Sequence, residues 1–284
     1  MASPGVLYVV ATPIGNMGDM SARAIETLRV CDRIAAEDTR RTRGLLTHFA
    51  IHGKPLDALH GHSDARDVER LLEKLVSGAS IALVTDAGTP AVSDPGDALI
   101  ARAVSVGVRV VPIPGASAVL AALVASGLAG DGRFRFLGFL PRDGTERREA
   151  IELACATPEQ VVLFESPART TATLRELAAA TPTRRACVAR ELTKIHEELV
   201  RGALEELAAQ EREWIGEVVL VLGPHAPADR GAKIDDAAID ARIDAELAQG
   251  RRAKSIAEVL AAWSGRPKRE LYERVVVRKN AGAR

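Results

Sequence analysis

Short runs of β-branched and aliphatic residues alternate with amphipathic stretches along the first 126 residues. The pattern predicts a strand over 7–11 and a helix over 21–30, then a strand over 33–36 and a helix over 40–49. Val68, Leu71, Leu72, Leu75 and Val76 recur at three- and four-residue spacing, which predicts a helix with one apolar stripe, ended by Gly78 before a strand over 81–85. Asp94 is expected to cap the next helix, with Pro95 in its first turn and Gly107 just past its end, ahead of a strand over 109–112. A helix over 117–126 follows. Strands that alternate with helices in this way imply a parallel sheet.

The segment Gly127-Leu128-Ala129-Gly130-Asp131-Gly132 has no apolar period and marks a domain boundary. Beyond it the alternation restarts, with buried strands expected over 134–140, 161–164, 186–190 and 217–222 and helices near 146–156, 170–180 and 203–210. A second linker spans 224–231. Only helical signals follow, over 234–249, 255–263 and 267–278, with Ser255 as a cap and Gly265-Arg266-Pro267 as the break between the last two. The expected architecture is therefore two α/β/α domains with mostly parallel sheets, residues 1–127 and 128–224, and a basic helical tail, residues 225–284.

Composition narrows the chemistry. Aromatic residues make up only 3% of the 284, so the cores must be aliphatic and a cofactor held by aromatic stacking is disfavoured. Cys31, Cys155 and Cys187 lie far apart with no metal-ligand spacing, and read as reduced thiols. The first residues show no basic, apolar leader, and the run over 6–11 is too short for a membrane span, so a cytoplasmic protein with no membrane partner is expected. The formal net charge is zero, yet residues 250–284 hold ten Lys and Arg against three acids. That run suits either a phosphate-binding patch or a solvated helical surface.

In parallel α/β sheets, ligands sit at the carboxyl ends of strands. The unusual loops collect there: Thr12-Pro13-Ile14-Gly15-Asn16, Asp86-Ala87-Gly88-Thr89-Pro90, Ile113-Pro114-Gly115-Ala116-Ser117, Glu165-Ser166-Pro167 and Glu191-Leu192-Thr193-Lys194. Singly, each is ordinary turn chemistry. Together they suggest a cleft lined by backbone amides, small residues and a few carboxylates. The dinucleotide fingerprint, the phosphate loop, the nucleophile elbow and the two-histidine zinc helix are all missing. What remains is a small molecule held by shape and backbone contacts.

Ala11-Thr12-Pro13-Ile14-Gly15-Asn16, Ala36-Glu37-Asp38-Thr39-Arg40, Asp86-Ala87-Gly88-Thr89-Pro90 with Asp94-Pro95-Gly96, Pro112-Ile113-Pro114-Gly115, Gly138-Phe139-Leu140-Pro141 and Ala189-Arg190-Glu191-Leu192-Thr193-Lys194 occur in that order. Together they resemble the ribosomal RNA small subunit methyltransferase I family, a branch of the tetrapyrrole-methylase-like (class III) S-adenosylmethionine methyltransferases, over about residues 6–280. The resemblance implies a homodimer that uses S-adenosyl-L-methionine to methylate the ribose 2′-hydroxyl of a cytidine in 16S rRNA of the small ribosomal subunit. By motif position it implies a cofactor cleft lined by Pro13, Ile14, Gly15, Asp86, Ala87, Gly88, Gly115 and Ser117 from the first domain, and by Glu165, Ser166 and Leu192 from the second. The chain departs from the family at His60-Gly61-His62-Ser63-Asp64, where His-x-His-Asn-Glu is common, at Ala116, where Pro is common, and at Ala168, where His is common.

A ribose hydroxyl is a weak acid, so a carboxylate or lysine near it would take its proton or stabilise the developing alkoxide. Asp38 and Arg40, and Glu191 and Lys194, are the catalytic candidates. Asp38 equally suits a helix cap with Arg40 paired to a carboxylate, and Lys194 an exposed ion pair. The residues expected to contact RNA are Arg251, Arg252, Lys254, Lys268, Arg269, Arg274, Arg278 and Lys279; a helical strut with solvated charges is the other reading. No metal is expected. Two competing functions are a class III methylase acting on a small molecule such as a corrinoid precursor, and a non-enzymatic RNA-binding module.

Overall fold

In the computed structural model, which describes residues 4–61, 65–225, 236–248, 251, 253–264 and 266–281, ten strands form two five-stranded sheets. The first contains β1 (Val6–Val10), β2 (Arg33–Ala36), β3 (Leu56–Ala58), β4 (Ile81–Val84) and β5 (Arg109–Ile113) in the order β3-β2-β4-β1-β5. Every pairing in it is parallel. Helices α1 (Ala22–Val30), α2 (Thr39–His48), α3 (Ala65–Val76), α4 (Asp97–Ser105) and α5 (Ala118–Ala125) connect these strands and lead out of the sheet.

Period-two alternation on a doubly covered sheet explains the core. On β4, Ala82 and Val84 face Ala24, Leu28 and Leu45, while Ile81 and Leu83 face Leu71, Leu75 and Leu99. Each fully buried leucine contributes about 1.5–3 kcal/mol of transfer free energy. Four of the five stripe residues of α3 are buried, and Val76, the last helical residue, is exposed. The short β3 escapes the periodicity because three residues, Leu56-Asp57-Ala58, carry no recognisable alternation.

The second sheet contains β6 (Phe134–Phe139), β7 (Gln160–Glu165), β8 (Arg185–Arg190), β9 (Glu198–Ala203) and β10 (Val218–Leu222) in the order β6-β7-β10-β8-β9, with α6 (Gly144–Ala156), α7 (Pro167–Ala180) and α8 (Leu204–Ala208). The α/β class holds, but here the parallel expectation needs correction. Only β6 and β7 run parallel; β10 is antiparallel to both its neighbours, and β9 is antiparallel to β8. The connection between β8 and β9 is too short for a crossover and makes a hairpin, which only antiparallel neighbours accept. The edge strand β6 is also largely exposed rather than buried.

The two sheets are joined across α5, which is apolar on every side. Its Val119 and Ala122 pack with Val162, Ala189, Val219 and Val221 of the second sheet. Arg201 of β9 donates to the carbonyls of Ala125 (2.6 Å) and Ser126 (2.8 Å) at the end of that helix, where a cation complements the helix dipole. The described residues up to His225 accordingly form one compact unit, and those beyond it a second.

That second unit is helical: α9 (Asp236–Ala248), α10 (Ala253–Ser264) and α11 (Lys268–Ala281) share a core of Ile239, Ile243, Ile256, Leu260, Leu271 and Val275. Ser255 lies inside α10 rather than capping it, because the helix begins two residues earlier. Among the described residues, no helix is long and apolar enough to cross a membrane.

Candidate active site

Three loops at the carboxyl ends of the first sheet are tied together by short polar contacts. After β1, Thr12 exchanges backbone hydrogen bonds with Gly88 (2.9 and 3.0 Å), and its hydroxyl donates to the Thr85 carbonyl (3.1 Å). After β4, the Thr89 hydroxyl donates to the Ala116 carbonyl in the loop after β5 (3.1 Å). Gly88 is left-handed (φ +81°), a conformation that glycine adopts without strain. Gly115 is needed for space, since a Cβ there would stand 3.0 Å from that of Ala11.

Facing them are the ends of the second sheet. A cavity of about 310 Å³ lies between the two sets of loops. Of the residues expected around a cofactor, Ile14, Ala87, Gly88, Ser117, Glu165 and Ser166 line it. A neighbouring cavity of about 360 Å³ is lined by Pro13, Ile14, Gly15, Asp86 and Ala87, and also by Thr85, Arg41 and Lys194. Ile14, Ala87 and Glu217 belong to both linings, so the two spaces share a wall. Gly115 and Leu192 line neither; they stand behind the surface, Gly115 against Ala11 and Leu192 in the apolar cluster with α5.

Glu165 lines the first cavity with its side chain fully buried and its oxygens committed. They accept from the Ser166 N–H (2.7 Å), the Thr173 hydroxyl (2.7 Å) and Arg169 (2.7 Å). Arg147 and Arg169 in turn donate to the Pro141 carbonyl, which ties the end of β6 to the end of β7. Phe139, just before that turn, lies 5.3 Å from Phe164, so a small apolar shelf faces the cavity.

The four catalytic candidates separate into two pairs. Lys194 donates to Glu191 (2.9 Å) and Glu217 (3.0 Å) and lines the second cavity. Burial works to lower its pKa, but those two hydrogen bonds hold it above the ordinary lysine value. Glu191 is kept below the usual carboxylate range, first by the Glu217 N–H and then by Lys194. Asp38, by contrast, caps α2 by accepting from the Arg40 N–H (2.8 Å) and pairs with the Arg40 side chain (2.9 Å). The Arg40 side chain lowers the Asp38 pKa to about 2, and neither residue lines either of these two cavities.

Among the residues of the site that escaped the sequence reading, four bear on its shape and charge. Gly216 and Glu217 come from the amino end of β10, which faces the cleft because that strand runs antiparallel; a search of carboxyl ends passes over them. Gly216 is left-handed (φ +84°), and a Cβ there would run into the Glu191 carboxylate. Arg41 pairs with Asp86 at 3.4 Å, next to the arginine that the motif pointed to. Asp94 does not cap a helix. The chain turns through left-handed Ala91, Ser93 and Gly96, α4 starts only at Asp97, and Asp94 is left on the wall of the first cavity.

The basic tail also reads differently in three dimensions. Asp236, Asp240 and Asp244, four residues apart on α9, meet Arg266, Arg274 and Arg278, with Arg274 2.6 Å and Arg278 2.9 Å from Asp240. Lys268 pairs with Glu258, Arg269 with Glu273 and Arg251 with Glu246. Lys254 and Lys279 are exposed, and Arg252, like His62, Ser63 and Asp64, lies outside the described residues.

Residues 6–208, which carry the whole first sheet and all of the second but β10, match the family model for Tetrapyrrole (Corrin/Porphyrin) Methylases. The chain belongs to that family. It is 44% identical over 277 residues to the ribosomal RNA small subunit methyltransferase I of Xylella fastidiosa, covering 96% of this chain and 99% of the relative. The protein of the same name from Halalkalibacterium halodurans is 42% identical over 277 residues, covering 94% and 93%. Among solved structures, a diphthine synthase superposes with a TM-score of 0.60 at 20% identity, covering 77% of this chain and 90% of that one. At that identity the likeness is one of fold.

Proposed function

We propose that the protein transfers a methyl group from S-adenosylmethionine to the 2′-hydroxyl of a cytidine ribose in the 16S RNA of the small ribosomal subunit. Membership of the methylase family and the full-length similarity to small-subunit RNA methyltransferases support the reaction class and substrate. The observation that carries the site assignment is the pair of adjoining cavities with a common wall at Ile14, Ala87 and Glu217.

The first cavity fits the donor. Its volume lies at the lower end of the range for small-molecule sites, and it combines apolar side chains with a few carboxylates suited to a cationic ligand. Ile14, Ala87, Gly88, Ser117 and Ser166 would surround it, Pro13, Gly15 and Asp86 would border the shared wall, and Glu165, Gly115 and Leu192 would hold the lining in place. When bound, S-adenosylmethionine supplies a methyl group already activated on a sulfonium, so the protein's task is chiefly alignment of the acceptor.

The second cavity would receive the ribose. Thr85 contributes to its wall, and its hydroxyl is buried there without a partner among the described residues. Lys194, held protonated between two carboxylates, cannot serve as a base at neutral pH; its charge would instead stabilise the developing alkoxide. Asp38, whose oxygens are tied to Arg40, is equally unsuited to accept a proton, and the exposed Arg40 would face the RNA backbone. The helical unit would add phosphate contacts through Lys254, Lys279 and the outward Arg269, while Arg251, Lys268, Arg274 and Arg278 would divide their charge with their acidic partners. Leu120 and Val124, exposed on the otherwise apolar α5, offer a face that a second copy would cover, in keeping with a cytoplasmic homodimer.

Incubation of the enzyme with labelled S-adenosylmethionine and unmethylated small subunits tests the proposal. Label on one cytidine ribose is expected; label on an added tetrapyrrole and none on the subunit would overturn it.

A further inference from the structure

Three carboxylates line the first cavity, and two are committed: Glu165 to Arg169, Thr173 and the Ser166 N–H, and Glu217 to Lys194. Asp94 differs. It is half-buried on the cavity wall, and no hydrogen bond or ion pair reaches its carboxyl from the described residues. Its place is fixed by the turn through Ala91, Ser93 and Gly96. Gly96 packs so tightly that a Cβ would lie 2.7 Å from Leu83, and a Cβ on Gly138 of β6 would lie 3.1 Å from the Ser93 hydroxyl. The charged groups facing Asp94 are Glu37, from the loop after β2, and Asp86, from the loop after β4. Both are acids. Glu37 accepts from the Asp86 N–H (3.2 Å), and Asp86 is partly offset by Arg41 at 3.4 Å. Burial, then Glu37, then Asp86 push the Asp94 pKa up to about 6.

We infer that Asp94 is the residue by which the cavity distinguishes S-adenosylmethionine from its demethylated product, S-adenosylhomocysteine. The two ligands share the same adenosine and amino-acid groups, so the titrations of those groups cancel when the ligands are compared. They differ by one methyl group and one positive charge. A carboxyl crowded by acids gains an attractive partner when the sulfonium arrives and loses it when the thioether remains. Donor binding near pH 6 therefore ionises Asp94 and releases its proton to solvent; product binding does not, and the product is held less tightly. The inference rests on the donor occupying this cavity.

Calorimetry of the full-length protein with each ligand, from pH 5 to 7.5 and in buffers of different ionisation heat, tests this. A downward shift of one unit in the Asp94 pKa on donor binding, from about 6, corresponds to an about fivefold tightening of donor Kd relative to product Kd between pH 5 and 7.5. More protons should be released with donor than with product near pH 6. Sinefungin, whose amine places a positive charge where the methyl sulfonium stands, should follow the donor. Asp94→Asn should make the donor-to-product ratio independent of pH, with retained product binding showing that the cavity is folded. Parallel donor and product affinities across pH, with equal proton release in the wild-type protein, would overturn the inference. Failure of both ligands to bind would remove the cavity assignment itself and the selectivity with it.

Discussion

Replacing Lys194 by methionine keeps the side-chain stem that packs against Gly15 while removing the ammonium between Glu191 and Glu217. An ammonium and an alkoxide about 4 Å apart at an effective dielectric constant of about 20 attract by about 4 kcal/mol. Two carboxylates already share this ammonium and its side chain is 26% exposed, so the usable part is smaller. About 2.7 kcal/mol remains, near the lower end of what loss of one oxyanion donor costs, and it corresponds to a rate loss of about 100-fold. Single-turnover transfer of labelled methyl to small subunits measures that loss. Donor Kd, read separately by calorimetry, should change by less than about threefold, because the lost interaction forms only in the transition state. Lys194→Arg should recover part of the rate. A Lys194→Met enzyme within about threefold of wild-type turnover would refute the alkoxide-stabilising role.

The buried Arg184 donates to the carbonyls of Ala154 (2.8 Å), Thr157 (3.1 Å), Glu159 (3.0 Å) and Gly223 (2.8 Å), and burial lowers its pKa only to about 10. Arg184→Met strands those carbonyls and should cost about 3–5 kcal/mol in urea unfolding; a loss below about 1 kcal/mol would contradict the network's importance. For Asp57, burial works to raise the pKa, but hydrogen bonds from Arg33 and Lys74 hold it below its ordinary value of 3.8. Its stabilising share is therefore complete above that value and fades as pH falls through the lower folded one, so Asp57→Asn should flatten the acid limb of the stability curve; an unchanged limb would dismiss the pairing. Joint Arg274→Gln and Arg278→Gln substitution should speed amide exchange in α9 and α11, more at low salt than at high. If exchange stays the same and only RNA affinity falls, those arginines serve the RNA rather than the helices.

Four strands of the first sheet, all but the short β3, were legible because doubly covered parallel strands read as continuous apolar runs, and because Ser21, Gly78, Gly107 and Ser117 punctuate helices in ordinary ways. The loops that line the cavities were legible for the same reason: they follow strands whose ends the periodicity marks. Glu217 and Gly216 were not, since strand direction is a tertiary property and β10 is reversed only by pairing with β7 and β8. Asp94 misled because Asp-Pro before an apolar run is a common helix start, and nothing local reveals three left-handed residues around it. The tail's charge misled in the opposite way. Counting from residue 250 excluded Asp236, Asp240 and Asp244, whose four-residue spacing is the visible sign of an acidic helix face matched to the basic one.

The most direct test of the two-cavity account is a crystal structure of the protein with S-adenosylhomocysteine. The account predicts electron density for the ligand against Ile14, Ala87, Gly88 and Ser166, with its sulfur turned toward the wall shared with the space beneath Lys194. Density on another face of the protein, or in the first cavity with the sulfur turned away from that wall, would contradict it.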